Sequence, residues 1–155
     1  MYRKILVPYD ISNPADRALA HAVRLAKATD ESTQIVILHV IPDIPIYPVL
    51  EHAIKSKHEG PHTFNEHVQF VYESMKSYVI KILEDKKSEY RQTGVTIKTD
   101  VVQGKPVDKI IEYAKDADLI VMGSTGFSGI SKLRALGSVS RGVLEKSECP
   151  VMIVH

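Results

Sequence analysis

Three glycines at intervals of three, Gly123, Gly126 and Gly129, follow directly on the apolar run Leu119-Ile-Val-Met122, and a Gly137-Ser138 pair stands beyond a short basic segment. Glycine lets a backbone approach an anion closely and turn its N–H groups toward it with no Cβ in the way. The Gly137-Ser138 pair opens a helical pattern, and a helix start adds unpaired N–H donors and the positive end of a dipole. Ser138 brings a hydroxyl to the same place. Lys132 and Arg134 could offset the charge of a terminal phosphate. The chemistry offered is the cradling of a phosphate between a strand and a helix. Bond-making chemistry has less support. The G-x-x-x-x-G-K-[ST] sequence is absent, and no candidate general base stands out beside the loop. Taken alone, such a loop is more often an ordinary strand-to-helix connection.

Other residues capable of chemistry are weaker candidates. His52, His58, His62 and His67 cluster in sequence, but spacings of six, four and five form no standard ligand pattern. They read as a solvated segment, and no metal held by protein side chains is expected. His39, at a strand end, reads as a hydrogen-bonded structural histidine. Cys149 beside Pro150 reads as an inert packing residue, since nothing near it favours a thiolate. Tyr72, Tyr78 and Tyr90 read as packing residues whose hydroxyls reach water.

The elements that must position the loop alternate in type. Ile5–Val7 is a short buried strand ending in Pro8-Tyr9-Asp10. Asn13 before Pro14 is expected to cap a helix whose stripe is Ala15, Ala18, Leu19, Ala22, Val23 and Ala26. A strand follows over Gln34–Ile41, then an irregular insertion over 42–63 that begins Pro42-Asp-Ile-Pro-Ile-Tyr-Pro48. Val68, Val71, Met75, Val79, Ile82 and Leu83 describe a long helix from Phe64 to about Tyr90, ended by Thr93-Gly94. Val95–Val102 alternates as a strand and turns at Gly104-Lys-Pro106. Val107, Ile110, Ile111 and Ala114 make a helix, Asp118–Met122 a strand, Ser138–Ser147 a helix, and Val151–Val154 a last strand.

Strands alternating with helices imply an α/β fold, a single-domain open five-stranded parallel sheet with helices on both faces and right-handed crossovers. Ligands of such sheets bind outside the carboxyl ends of the strands, where the winding reverses. Asp10, His39-Val40, Gly104 and Gly123 all belong to that edge, together with the glycine loop. The terminal strand Val151–Val154 is short and apolar. On a sheet edge it invites pairing with a second chain.

Taken together, these stretches resemble the universal stress protein family over essentially the whole length. The matching residues are Ile5-Leu-Val-Pro-Tyr-Asp-Ile-Ser12, Leu38-His-Val-Ile41, Gly104-Lys-Pro106, Asp118-Leu-Ile-Val-Met-Gly-Ser-Thr-Gly126, and Gly137-Ser-Val-Ser140 running on to Cys149-Pro-Val-Met-Ile-Val154. The resemblance implies a Rossmann-like fold of the adenine nucleotide alpha hydrolase type, with strand order 3-2-1-4-5. The nucleotide-binding, glycine-loop branch of that family has nine residues between its second and third motif glycines. Here Phe127 to Leu136 makes ten.

By the same resemblance Asp10 would contact a ribose, the Val40 backbone would read an adenine edge and Gly123 would lie beside the ribose. Gly126, Gly137, Ser138 and Val139 would hold phosphates, and Pro8 joins the binding set. The implied ligand is ATP, or ADP or AMP, with Mg²⁺ or Mn²⁺ bound through the phosphates.

The reading is an ATP-binding, nucleotide-dependent regulatory protein of the stress response. The alternatives are a nucleotide-free dimeric scaffold of the same fold, and an enzyme with at most slow ATP hydrolysis or autophosphorylation. The related adenylating enzymes place a Ser/Gly-rich loop where this chain has Pro8-Tyr-Asp-Ile-Ser12. The family commonly dimerises through its last strand, so a homodimer through 151–154 is expected. With 20 Lys and Arg against 19 Asp and Glu, no basic field favours nucleic acid. No run approaches the length of a membrane span, and the start of the chain does not read as a signal peptide. A cytoplasmic protein with no membrane partner is expected. One cysteine excludes an internal disulfide framework.

Overall fold

Ile5, Leu6, Val7, Ile35, Ile37, Leu38, Ile120 and Val121 are all essentially inaccessible to solvent. Consecutive residues of a strand point to opposite faces, so runs like these are stable only where both faces of a sheet are covered. The computed structural model describes residues 2–29, 32–43, 64–126 and 136–155, with only the backbone of Phe64. The insertion expected over 42–63 therefore lies almost wholly outside the described residues.

The elements are β1 (Lys4–Pro8), α1 (Asn13–Thr29), β2 (Gln34–Ile41), α2 (Phe64–Ser88), β3 (Thr96–Gln103), α3 (Pro106–Ala114), β4 (Leu119–Gly123), α4 (Ser138–Lys146) and β5 (Val151–Val154). A short 3₁₀ turn, Arg91–Thr93, follows α2 and closes on Gly94 in the left-handed region at φ 75°. The five strands form one sheet in the order β3-β2-β1-β4-β5, every pair parallel, as the sequence led one to expect. The winding reverses between β1 and β4.

Two cores flank the sheet. Ile5, Val7, Ile35, Ile37, Ile97 and Val121 pack under α1 and α2, while Leu6, Val36, Leu38, Ile120 and Met122 pack under α3 and α4. The stripe expected for α1 is buried residue for residue. On α2 the buried residues are Tyr72, Val79 and Leu83, whereas Val71 and Met75 remain 40% and 39% exposed. The inward face is thus turned toward Tyr72, whose hydroxyl lies 3.5 Å from the Pro42 carbonyl. Tyr78 is 68% exposed and is not the packing residue it was expected to be.

Candidate functional site

The chain leaves β1 through a tightly bonded turn. The Tyr9 amide donates to the Leu38 carbonyl at 2.8 Å, and the Tyr9 carbonyl lies 2.8 Å from His39 Nδ1. A carbonyl only accepts, so His39 carries a proton on Nδ1. Burial pushes the His39 imidazole below its usual pKa, against the opposing pull of the Tyr9 carbonyl and the Asp10 charge. The Tyr9 hydroxyl donates to Asp16 Oδ1 at 2.5 Å, and Asp16 also pairs with Lys86 of α2 at 3.1 Å. Burial, reinforced by the bond to Asp16, pushes the Tyr9 phenol well above its usual range.

Ile11 then adopts φ 67°, a left-handed conformation that is rare for a β-branched residue. This turn brings Ser12 back onto Asp10. The Ser12 amide donates to Asp10 Oδ1 at 3.2 Å and the Ser12 hydroxyl donates to the same oxygen. Ser12 Oγ in turn accepts from the Ala15 amide at 3.3 Å, and the Asp16 amide donates to the Ser12 carbonyl at 3.0 Å. The cap of α1 is therefore Ser12, not Asn13, which is the first residue of the helix. The physical reason is the turn itself: with Ser12 Oγ donating to Asp10, its lone pairs are directed at the first turn of α1.

The glycine loop starts at the end of β4. A Cβ on Gly123 would lie 2.7 Å from Pro14 Cβ and 2.9 Å from the Pro14 carbonyl carbon, so α1 packs on β4 only because this residue is glycine. A Cβ on Gly126 would lie 2.6 Å from Asp10 Oδ2, the carboxylate oxygen that Ser12 leaves free. Gly137 differs. Its φ of −65° is open to any residue, and a Cβ there would meet nothing closer than Thr125 Cα at 3.5 Å.

The two ends of the loop are tied together. The Gly137 amide donates to the Ser124 carbonyl at 2.8 Å, and Ser140 Oγ donates to the same carbonyl at 2.8 Å and lies 3.0 Å from the Gly137 carbonyl. The additional residue between Gly126 and Gly137 thus does not move Gly137 away from the end of β4. Among the described residues no side chain caps α4, whose N-cap is Gly137. A helix start leaves its first-turn amides, here those of Ser138 and Val139 among them, without partners inside the helix.

These pieces enclose a cavity of about 550 Å³ at the crevice between β1 and β4. That volume lies inside the range of roughly 300–1,000 Å³ usual for small-molecule sites. All eight residues of the expected set line it: Pro8, Asp10, Val40, Gly123, Gly126, Gly137, Ser138 and Val139. Sequence reasoning missed Thr125, Ser140, Pro106 and Ile110, which also line it, and put His39 on this sheet edge but read it only as structural. The signal for Pro106 was present, because the Gly104-Lys-Pro106 turn belongs to the same sheet edge. Gly104 itself does not line the cavity. It turns the chain at φ 144° and packs against the stem of Lys109.

Gly129, Lys132, Arg134, His52, His58 and His62 lie outside the described residues. Among the described residues no group of three His, Cys, Asp or Glu is placed to hold a metal ion, and no helix is long and apolar enough to cross a membrane. The Cys149 thiol is partly buried and donates to the Ala117 carbonyl at 3.4 Å; burial raises its pKa, which favours the inert thiol.

A family model described as "Universal stress protein family" matches residues 1–155. The chain is 35% identical over 158 residues to the universal stress protein YxiE of Bacillus subtilis, covering 100% of both. Among solved structures it is similar to that of the hypothetical protein MJ0577, with 31% identity, a TM-score of 0.78, and 99% of this chain and 96% of that one covered. MJ0577 belongs to Methanocaldococcus jannaschii. A universal stress protein solved in complex with cAMP is 26% identical with a TM-score of 0.64, covering 99% and 97% of the two chains.

Proposed function

The chain belongs to the universal stress protein family, and from that premise we propose that it is an adenine-nucleotide-binding regulatory protein whose resident ligand is ATP with a divalent ion. One observation carries the reading. Asp10, Val40, Gly126 and Gly137 come from four separate parts of the chain and border one cavity of about 550 Å³. The similar protein in complex with cAMP supports an adenine nucleotide as the ligand class.

The donor set fits the group. Asp10 keeps Oδ2 free of Ser12, and a carboxylate oxygen accepts hydrogen bonds from ribose hydroxyls. Val40 at the end of β2 offers backbone groups to the adenine edge. The uncapped first turn of α4, with Ser138 and Val139, meets phosphate oxygens with N–H groups and the positive end of the helix. Nothing among the described residues requires a glycine at 137, and a phosphate seated against its backbone would account for the missing Cβ. The divalent ion, Mg²⁺ or Mn²⁺, would neutralise phosphate charge and be held through the phosphates. The cavity residues are read as binding and orienting groups, and the protein as a binding protein whose nucleotide state is sensed by partners.

The test is to denature the purified protein, identify any released nucleotide, and titrate the nucleotide-free protein with Mg·ATP by calorimetry. The expected result is adenine nucleotide in the released fraction and saturable binding at micromolar concentration or below. No heat and no thermal shift would leave the nucleotide-free scaffold as the function of this fold.

Assembly is proposed through β5. It is an edge strand, and Val151, Met152 and Ile153 are each only partly buried. The opposite edge, β3, carries Lys98 and Asp100, charges of the kind that discourage edge pairing. A two-fold pairing of β5 with its copy would shield the apolar edge. Light scattering should give a dimer mass for the wild type and a monomer mass for Ile153→Lys. A wild-type monomer at micromolar concentration would refute this.

A further inference from the structure

His39 lines the cavity beside Val40, yet neither of its neighbours' proposed ligand contacts accounts for its bonding. Its Nδ1 donates to the Tyr9 carbonyl at 2.8 Å, and the Tyr9 carbonyl belongs to the peptide that carries the Asp10 amide. The remaining restraints on that stretch act from other directions. The Tyr9 amide is bonded to Leu38, its hydroxyl to Asp16, and Asp10 Oδ1 to Ser12. The Tyr9–Asp10 peptide plane is therefore fixed on its carbonyl side by His39. Rotation of that plane would turn the Asp10 Cα–Cβ bond with it, and with it the oxygen that now faces Gly126.

We propose that His39 is a positioning residue: its Nδ1–H, bonded to the Tyr9 carbonyl, sets the Asp10 carboxylate for the ribose hydroxyls of the nucleotide. The inference rests on the nucleotide reading above. It differs from a purely structural histidine in one consequence. Removing the Nδ1 donor lowers affinity more for ligands that carry the hydroxyls Asp10 receives than for ligands that lack them. The neutral imidazole favoured by burial suits the role, because it places no positive charge against Asp10 that would compete with the ribose for its free oxygen.

The test compares ATP with 2′,3′-dideoxy-ATP on wild type, His39→Leu and His39→Asn. The asparagine amide nitrogen takes nearly the place of Nδ1 and can donate to Tyr9, whereas leucine cannot. Wild type is expected to prefer ATP over the dideoxy analogue by about tenfold, the scale of a hydrogen bond to a charged group. In His39→Leu that preference should fall to about twofold or less, because ATP loses more affinity than the analogue, and His39→Asn should restore most of it. Equal loss for both nucleotides, or an undiminished preference in His39→Leu, would overturn the proposal. Failure of asparagine to restore the preference would overturn it as well. Absence of ATP binding by wild type would instead defeat the nucleotide reading itself. A readout independent of variant folding is the ¹⁵N histidine spectrum of wild type: the Nδ1–H tautomer is expected for His39, and the Nε2–H tautomer would overturn the assignment.

Discussion

The two sides of the cavity are built on different terms. At the ends of β1, β2 and β4 the fold itself holds the residues closely. Tyr9 is bonded through its amide, carbonyl and hydroxyl, Asp10 through one carboxylate oxygen, and Gly123 has no space for a Cβ against Pro14. At the start of α4 the fold demands little. Among the described residues, Gly137 has an ordinary φ and room for a methyl group, Ser138 is exposed, and the helix has no side-chain cap. Gly126 stands between the two, with its missing Cβ opposed by nothing closer than the Asp10 carboxylate. The lesson is that three glycines of one motif have three different causes: Gly123 answers to packing, Gly126 to a neighbouring functional group, and Gly137, on the proposed reading, to a bound phosphate.

That difference can be broken by substitution. Gly123→Val should have the largest effect on the protein itself. Its Cβ would press on both side chain and backbone of Pro14, and overpacking of this kind costs about 3 kcal/mol. Thermal denaturation should show Tm lower by roughly 6–12 °C. An unchanged Tm would mean that α1 can move off β4 freely and that Gly123 is not a packing residue.

Gly126→Val should separate binding from stability. Displacing Asp10 Oδ2 removes a charge-assisted contact, so ATP affinity should fall by about 10- to 100-fold. Since Asp10 is exposed, Tm should stay within about 2 °C of wild type. A large loss of Tm would place Gly126 with Gly123 on the packed side of the comparison.

Gly137→Ala sharpens the contrast further. The added methyl finds ordinary contacts within the protein and should leave stability unchanged, while ATP affinity falls about five- to tenfold through crowding at the phosphates. Adenosine, which lacks them, should bind as it does to wild type. Equal losses for the two ligands would argue that Gly137 does not face phosphate. Ser138→Ala is the smallest change, removing one exposed hydroxyl and lowering ATP affinity about threefold with the backbone donors intact.

Much of this arrangement was legible in the sequence because it is set by strong, local signals. Unbroken apolar runs such as Ile35-Val-Ile-Leu38 can only be doubly covered strands, and their alternation with helices fixes a parallel sheet with its carboxyl ends on one side. The eight expected residues all reach the cavity because each lies at such an end, in the loop that follows it or in the first turn of α4. What escaped was decided by contacts between distant segments. Ser12 and Asn13 are equally good caps by type, and the choice fell to Ser12 because Ile11 turns it onto Asp10. Along α2, Val79, Leu83 and Tyr72 pack as expected, but Val71 and Met75 do not, because Tyr72 faces the sheet and reaches Pro42. His39 was legible as hydrogen-bonded and as part of the binding edge, but its partner was not, being the carbonyl of a residue thirty positions earlier. Ser140 escaped for a similar reason: its role is to tie Gly137 to Ser124 across the loop.

The central claim is that this cavity holds an adenine nucleotide through both of its sides at once. Calorimetric titration of Mg·ATP into nucleotide-free protein, run in parallel on wild type and Gly126→Val, tests it most directly. The account predicts saturable binding at micromolar concentration or tighter for wild type, and at least about tenfold weaker binding for the variant at unchanged Tm. Equal binding by the two proteins, or no binding by either, would contradict it.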